Sequence, residues 1–191
     1  MAGHLKAKGG HELTVYNRTA AKSEKWVTQY GGKSAPTPKA AAEGQDFVMC
    51  CVGNDNDLRE VTLGANGAFH GMKKGAVFVD HTTASAEIAR ELSAEAKKRG
   101  FEFVDAPVSG GQAGAENGML TVMCGGEPEP YGRAEKVIAA YARMEHRAGG
   151  DHLGIDQGAA REQAMEEPAM PVGPFHHRRN GETILHALQG R

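Results

Sequence analysis

Residues 46–52 read DFVMCCV, and this run constrains the fold more than any other feature of the chain. It has no alternation of apolar and polar residues, so as a strand it must be covered on both faces. Strands of that kind belong to parallel sheets with helices packed on each side. The neighbouring sequence agrees. Residues 12–16 (ELTVY), 76–80 (AVFVD), 101–105 (FEFVD) and 119–124 (MLTVMC) are also of strand type. Between them, 20–30, 55–63, 85–99 and 129–143 have helical patterns. Gly31 and Gly32 follow the first of these, and Gly100 follows the third. Residues 1–5 read as the later turns of a helix with Met1 and Leu5 on one face. The alternation predicts an α/β, doubly wound parallel sheet.

That texture ends near Met144. In residues 145–191, Ile, Leu, Val and Phe supply seven of 47 positions. This is below the ~20% at which a segment struggles to build a core. The expectation is therefore a partial α/β domain over residues 1–144 and a poorly ordered tail over 145–191, weakly helical only at 182–188. The formal net charge of −2 offers no broad basic face for nucleic acid. No apolar run approaches the ~18 residues of a membrane span, and no signal peptide is visible. Cys50, Cys51 and Cys124 have neither CxxC nor zinc spacing, and they read as buried reduced thiols in a cytoplasmic protein. The nine histidines have no metal-ligand spacing either.

Four segments at strand ends carry candidate chemistry. Asn17-Arg18-Thr19 follows ELTVY, where a dinucleotide fold meets the adenosine ribose. An acid there binds a 2′-hydroxyl, whereas an arginine accommodates a 2′-phosphate, so Arg18 points to NADP over NAD. The competing reading has Thr19 capping the next helix and Arg18 merely exposed. Val52-Gly53-Asn54-Asp55 ends the doubly covered strand, at the edge where open α/β sheets bind ligands, or is an ordinary polar turn. In 80–85 (DHTTAS), small hydroxyl residues suit a ribose or substrate, or else Thr83 and Ser85 cap a helix. Residues 105–118, DAPVSGGQAGAENG, are the most informative. A serine followed by two glycines offers a hydroxyl and unhindered backbone N–H groups, a concavity suited to a carboxylate.

That string, with 120–126 (LTVMCGG) after it, resembles the β-hydroxyacid dehydrogenases, including 3-hydroxyisobutyrate dehydrogenases and tartronate semialdehyde reductases. The related 6-phosphogluconate dehydrogenases share the V-S-G-G-x-x-G-A core. The resemblance covers residues 1 to about 144. It implies a Rossmann-like fold, a nicotinamide cofactor (NADP or NAD) and a small hydroxyacid or semialdehyde substrate. It places Arg18, Val52, Gly53 and Thr83 at the dinucleotide, and Ser109, Gly110 and Gly111 at the substrate carboxylate. It also implies a homo-oligomer built on a C-terminal helical domain.

Two features of the family have no counterpart here. Its first strand and G-x-G-x-x-G should lie about 20 residues before Asn17, which runs off the start of the sequence. Its acid/base lysine lies after the serine motif, and no lysine occurs after Lys136. The expected sheet is thus an incomplete Rossmann-like one with no catalytic residue of its own. Three readings compete: an inactive fragment of the enzyme, an oxidoreductase completed by a partner chain, and a non-catalytic binding module on the same fold.

Overall fold

Val48, Met49 and Cys50 are at most 2% exposed, as a strand covered on both faces requires. Their side chains alternate between two cores. Val48 and Cys50 join Phe78, Phe103, Ile88 and Leu92 on one side. Met49 joins Val77, Val79, Val104, Ile138 and Tyr141 on the other. The computed structural model describes residues 1–147 and 184–189.

The chain begins with α1 (Ala2–Gly9), β1 (Glu12–Asn17), α2 (Ala20–Tyr30), β2 (Lys33–Ser34) and α3 (Pro38–Ala42). Then come β3 (Phe47–Cys51), α4 (Asp55–Leu63), a 3₁₀ turn (Ala68–His70), β4 (Val77–Asp80), α5 (Ala86–Arg99) and β5 (Glu102–Asp105). A second layer follows: β6 (Val108–Ser109), α6 (Gly111–Asn117), β7 (Leu120–Cys124), α7 (Pro128–Ile138) and β8 (Ala142–Arg147). The last described element is β9 (Ile184–Gln189). This is a mixed α/β, Rossmann-like architecture, as the alternation predicted.

Local chemistry sets the helix ends. In α5, the Ser85 hydroxyl accepts from Ile88 N at 3.2 Å. Lys97, Lys98 and Arg99 occupy its last turn, where cations oppose the helix dipole, and Gly100 closes it in the left-handed conformation. Its buried stripe is Ile88, Ala89, Leu92 and Ala96.

The main sheet has the order β2-β1-β9-β3-β4-β5. Every pairing is parallel except the two made by β9, which runs antiparallel to both β1 and β3. Leu185 lies between Tyr16 and Cys50, and Ala187 between Thr14 and Val48. Both are fully buried. This corrects the expectation of a weakly helical end at 182–188: over its described residues this stretch is a strand at the centre of the sheet. The physical reason is tertiary. With β1 and β3 apart, each would carry a row of unpaired backbone groups in the interior, and such groups are satisfied almost without exception. The rest of the expected tail, 148–183 and 190–191, lies outside the described residues.

A smaller sheet, β6-β7-β8, joins β5 where Asp105 and Gly125 exchange backbone hydrogen bonds of 3.0 and 2.7 Å. The helix expected over 129–143 stops at Ile138, and β8 crosses the boundary expected at residue 144. A strand pair with β7 outweighs the helical pattern there.

Candidate functional site

The loops leaving β1, β3, β4 and β5 all emerge at the carboxyl edge of the parallel strands. Each of them carries candidate residues. After β1, Asn17 Oδ1 accepts from Thr19 N at 2.8 Å, which makes a tight turn. Thr19 occupies the N-cap position of α2 but makes no side-chain cap bond. The exposed Arg18 reaches across to Asp57 on α4, 3.3 Å away. After β3, the buried Val52 donates its N–H to Thr82 Oγ1 at 3.2 Å, and Gly53 is exposed. Asn54 then caps α4, accepting from Asp57 N at 2.9 Å. After β4, His81 and Thr82 are buried and Thr83 is exposed. Ser85 donates its N–H and hydroxyl to Asp55 at 3.0 and 2.5 Å, tying α5 to α4.

The loop after β5 leads through Ala106 and Pro107 to the exposed Ser109, Gly110 and Gly111. The two glycines have φ of +117° and +59°. Only glycine adopts such values readily, and they turn the chain sharply into α6. Ser109 itself sits in β6, paired with Thr121.

Behind this rim lies a buried polar row. Register aligns Cys50, Asp80 and Asp105 across β3, β4 and β5. Asp80 Oδ1 accepts from Thr82 N at 2.9 Å, while Oδ2 has no partner among the described residues. Burial pushes the Asp80 carboxyl up to about 7, against the downward pull of hydrogen bonds from Thr82; nearby Asp105 and Asp55 add to the rise. His81 Nδ1 lies 2.6 Å from Ala106 O, and Nε2 lies 2.7 Å from the Tyr141 hydroxyl. Burial lowers His81 to about 4. Burial also pushes the Cys51 thiol up to about 12 and Cys50 well above its ordinary value, so neither is a thiolate near neutrality. The described residues hold no group of acids, histidines and cysteines suited to a metal ion. No described helix is long and apolar enough to cross a membrane.

Residues 1–150 match the family model described as the NAD binding domain of 6-phosphogluconate dehydrogenase. The chain belongs to the β-hydroxyacid dehydrogenase family. Among its family relatives, an uncharacterized oxidoreductase of Shewanella frigidimarina is 60% identical over 149 residues, covering 78% of this chain and 51% of the relative. A probable mitochondrial 3-hydroxyisobutyrate dehydrogenase-like protein of Arabidopsis thaliana is 45% identical over 129 residues, 68% of this chain and 42% of the relative. A putative oxidoreductase of Mycobacterium avium superposes with a TM-score of 0.74 at 29% identity, over 86% of this chain and 57% of that one. The chain thus spans about half the length of the relatives it matches.

The family's nicotinamide cofactor fits this rim only in part. Val52-Gly53, Thr83 and the Asn17–Thr19 turn offer exposed backbone and small polar groups along one edge. The pyrophosphate normally lies on a glycine-rich turn between the first strand and its helix. Here the sheet position between β1 and β3 belongs to β9. His81, Asp80 and Tyr141 are site-region residues that sequence reasoning did not single out for any role. The partners of His81 are remote in sequence: Ala106 is 25 residues away and Tyr141 is 60.

Proposed function

We propose that this chain is the cofactor- and carboxylate-binding half of a nicotinamide-dependent oxidoreductase acting on a small 3-hydroxyacid or its semialdehyde. The observation that carries the reading is the shared edge. The exposed Ser109, Gly110 and Gly111 follow β5, and Gly53 and Thr83 follow the adjacent β3 and β4. A carboxylate on the serine hydroxyl and the glycine N–H groups is thereby held beside the rim that takes the nicotinamide end.

The cofactor, when bound, supplies the hydride. The residues of this chain bind and orient. Ser109 donates its hydroxyl to the carboxylate. Gly110 and Gly111 leave their backbone open to it. The Val52-Gly53 turn and Thr83 border the dinucleotide, and Asn17, Arg18 and Thr19 take its adenosine ribose. Arg18 favours NADP over NAD, although a 2′-phosphate competes with Asp57 for the guanidinium. General acid/base help typically contributes about 10²–10⁴-fold, and the family's lysine has no counterpart after Lys136 in this sequence. On this reading residues 1–191 supply binding and orientation, and the acid/base group is not among them.

The test is an amide-resolved NMR titration of the full chain with 3-hydroxyisobutyrate and, separately, its uncharged amide. The carboxylate should shift Ser109, Gly110 and Gly111 and the amide should not. Identical shifts with both compounds, or none at these residues, would overturn the reading. A parallel absorbance assay with NADPH and the semialdehyde should stay at the blank rate.

A further inference from the structure

His81 stands between the two halves of this site. It follows β4 directly, is 2% exposed, and is gripped at both ring nitrogens, 2.6 Å from Ala106 O and 2.7 Å from the Tyr141 hydroxyl. A carbonyl only accepts, so Nδ1 carries the proton and donates to Ala106. The ring is neutral near physiological pH, so Nε2 accepts from Tyr141 O–H at 2.7 Å, a shorter contact than the 3.6 Å from the same hydroxyl to Met49 Sδ. The Tyr141 ring meets the imidazole edge-on, with centroids 5.6 Å apart at 89°.

Each partner leads to a functional loop. Ala106 lies three positions before Ser109. Thr82, next to His81, receives the Val52 N–H and precedes the exposed Thr83. The backbone doubles the link: His81 N donates to Cys50 O and Ala106 N to Asp80 O, each at 2.7 Å. An aliphatic side chain here would take the imidazole away from both Ala106 O and the Tyr141 hydroxyl, leaving that hydroxyl its longer 3.6 Å contact to Met49 Sδ, and an imidazolium could not accept from Tyr141.

We infer that His81 is a positioning residue, a neutral strut of fixed tautomer that holds the Ser109-Gly110-Gly111 loop in register with the Val52-Gly53 and Thr83 loops. The inference rests on the proposed function for what the loops bind. The strut itself is a statement about loop geometry and can be tested separately.

The first measurement is imidazole ¹⁵N NMR of the full chain. It should show a single Nδ1–H tautomer that persists below pH 5. Titration near 6.5, or an Nε2–H tautomer, refutes the strut. Tyr141→Phe, which deletes one hydroxyl from an otherwise unchanged core, should shift His81 Nε2 and perturb the amide signals of Thr83 and Ser109 together. If His81 moves and the Ser109 amide does not, the strut is refuted even though the fold is intact.

The second arm compares His81→Asn, which keeps a donor toward Ala106, with His81→Phe, which has none. Binding of 3-hydroxyisobutyrate should weaken about tenfold in the phenylalanine variant and recover largely in the asparagine variant, at equal thermal stability of the pair. Equal binding in wild type and both variants refutes positioning. Should wild type show no carboxylate-specific shift, the proposed ligand fails, whereas the tautomer and the paired amide shifts still decide the strut.

Discussion

Replacing Asp80 with asparagine should expose a pH dependence that the wild-type protein conceals. Asp80 and His81 are adjacent and fully buried, yet their linkages have opposite sign. The Asp80 carboxyl is held near 7 instead of its ordinary 3.8, so the folded state keeps a proton that the unfolded chain has released. Below pH 3.8 both states hold the proton and folding is not opposed. As pH climbs toward 7 stability falls, by roughly 4 kcal/mol in all at 1.36 kcal/mol per pH unit. His81 is held near 4 instead of 6.5, so it stays neutral when folded while the unfolded chain takes up a proton. Above 6.5 there is no penalty; as pH falls to about 4 stability falls by roughly 3 kcal/mol on the same scale. Between pH 4 and 6.5 the two slopes nearly cancel. The charges facing the pair are Asp105 on β5, Asp55 on α4 and the Met1 amine at the start of α1, with the neutral thiols of Cys50 and Cys51 on β3. The assay is urea unfolding followed by circular dichroism in half-unit steps from pH 4 to 7.5, read as variant minus wild type. Asp80→Asn should gain on wild type by about 3 kcal/mol over pH 4 to 6.5, because only the His81 slope is left. His81→Asn should lose about as much over the same window. A difference profile that is flat for either variant would refute the cancelling linkages and the burial argument behind them.

Three further outcomes follow from the packing and the rim. Leu185→Ala should destabilise the fold by about 2–5 kcal/mol, the cost of a cavity at a fully buried position; an unchanged urea midpoint would deny β9 its central seat. Cys50, Cys51 and Cys124 should resist a thiol reagent at pH 8 and react together on unfolding; rapid labelling of the native chain would contradict the raised thiols of Cys50 and Cys51 and the burial of Cys124. Arg18→Ala should weaken NADPH binding by several-fold and leave NADH binding within about twofold, as loss of one exposed phosphate contact predicts; equal losses for both nucleotides would remove Arg18 from the 2′-phosphate.

Much of the fold was legible because the signals are local. The apolar run at 46–52 has the length and flanking turns of a strand covered on both faces, and β3 is one. Ser85, the terminal basic residues and Gly100 mark α5 almost to the residue, since capping is settled within a turn of the chain. Within the serine-glycine string, Ser109 is exposed and Gly110 and Gly111 take positive φ, and the carboxylate role read from the string awaits the titration. Residues 142–147 were split between the end of a helix expected to run to 143 and the tail, because β7 offers a parallel partner that sequence spacing does not reveal.

The deeper misses share one cause. His81 looked like a polar loop residue in DHTTAS because its partners come from β5's end and from beyond α7. Asp80 looked like an ordinary strand-end acid, and only the alignment of three strands buries it beside Asp105. β9 is the clearest case. Nothing within residues 184–189 specifies a direction or a place in the sheet. Both come from the two open backbone edges of β1 and β3, which a six-residue strand can satisfy at once when it runs antiparallel. Local sequence chose β1, β3, β4, β5 and β7 and the helices and turns between them. The need to pair every buried backbone group chose what fills the centre of the sheet.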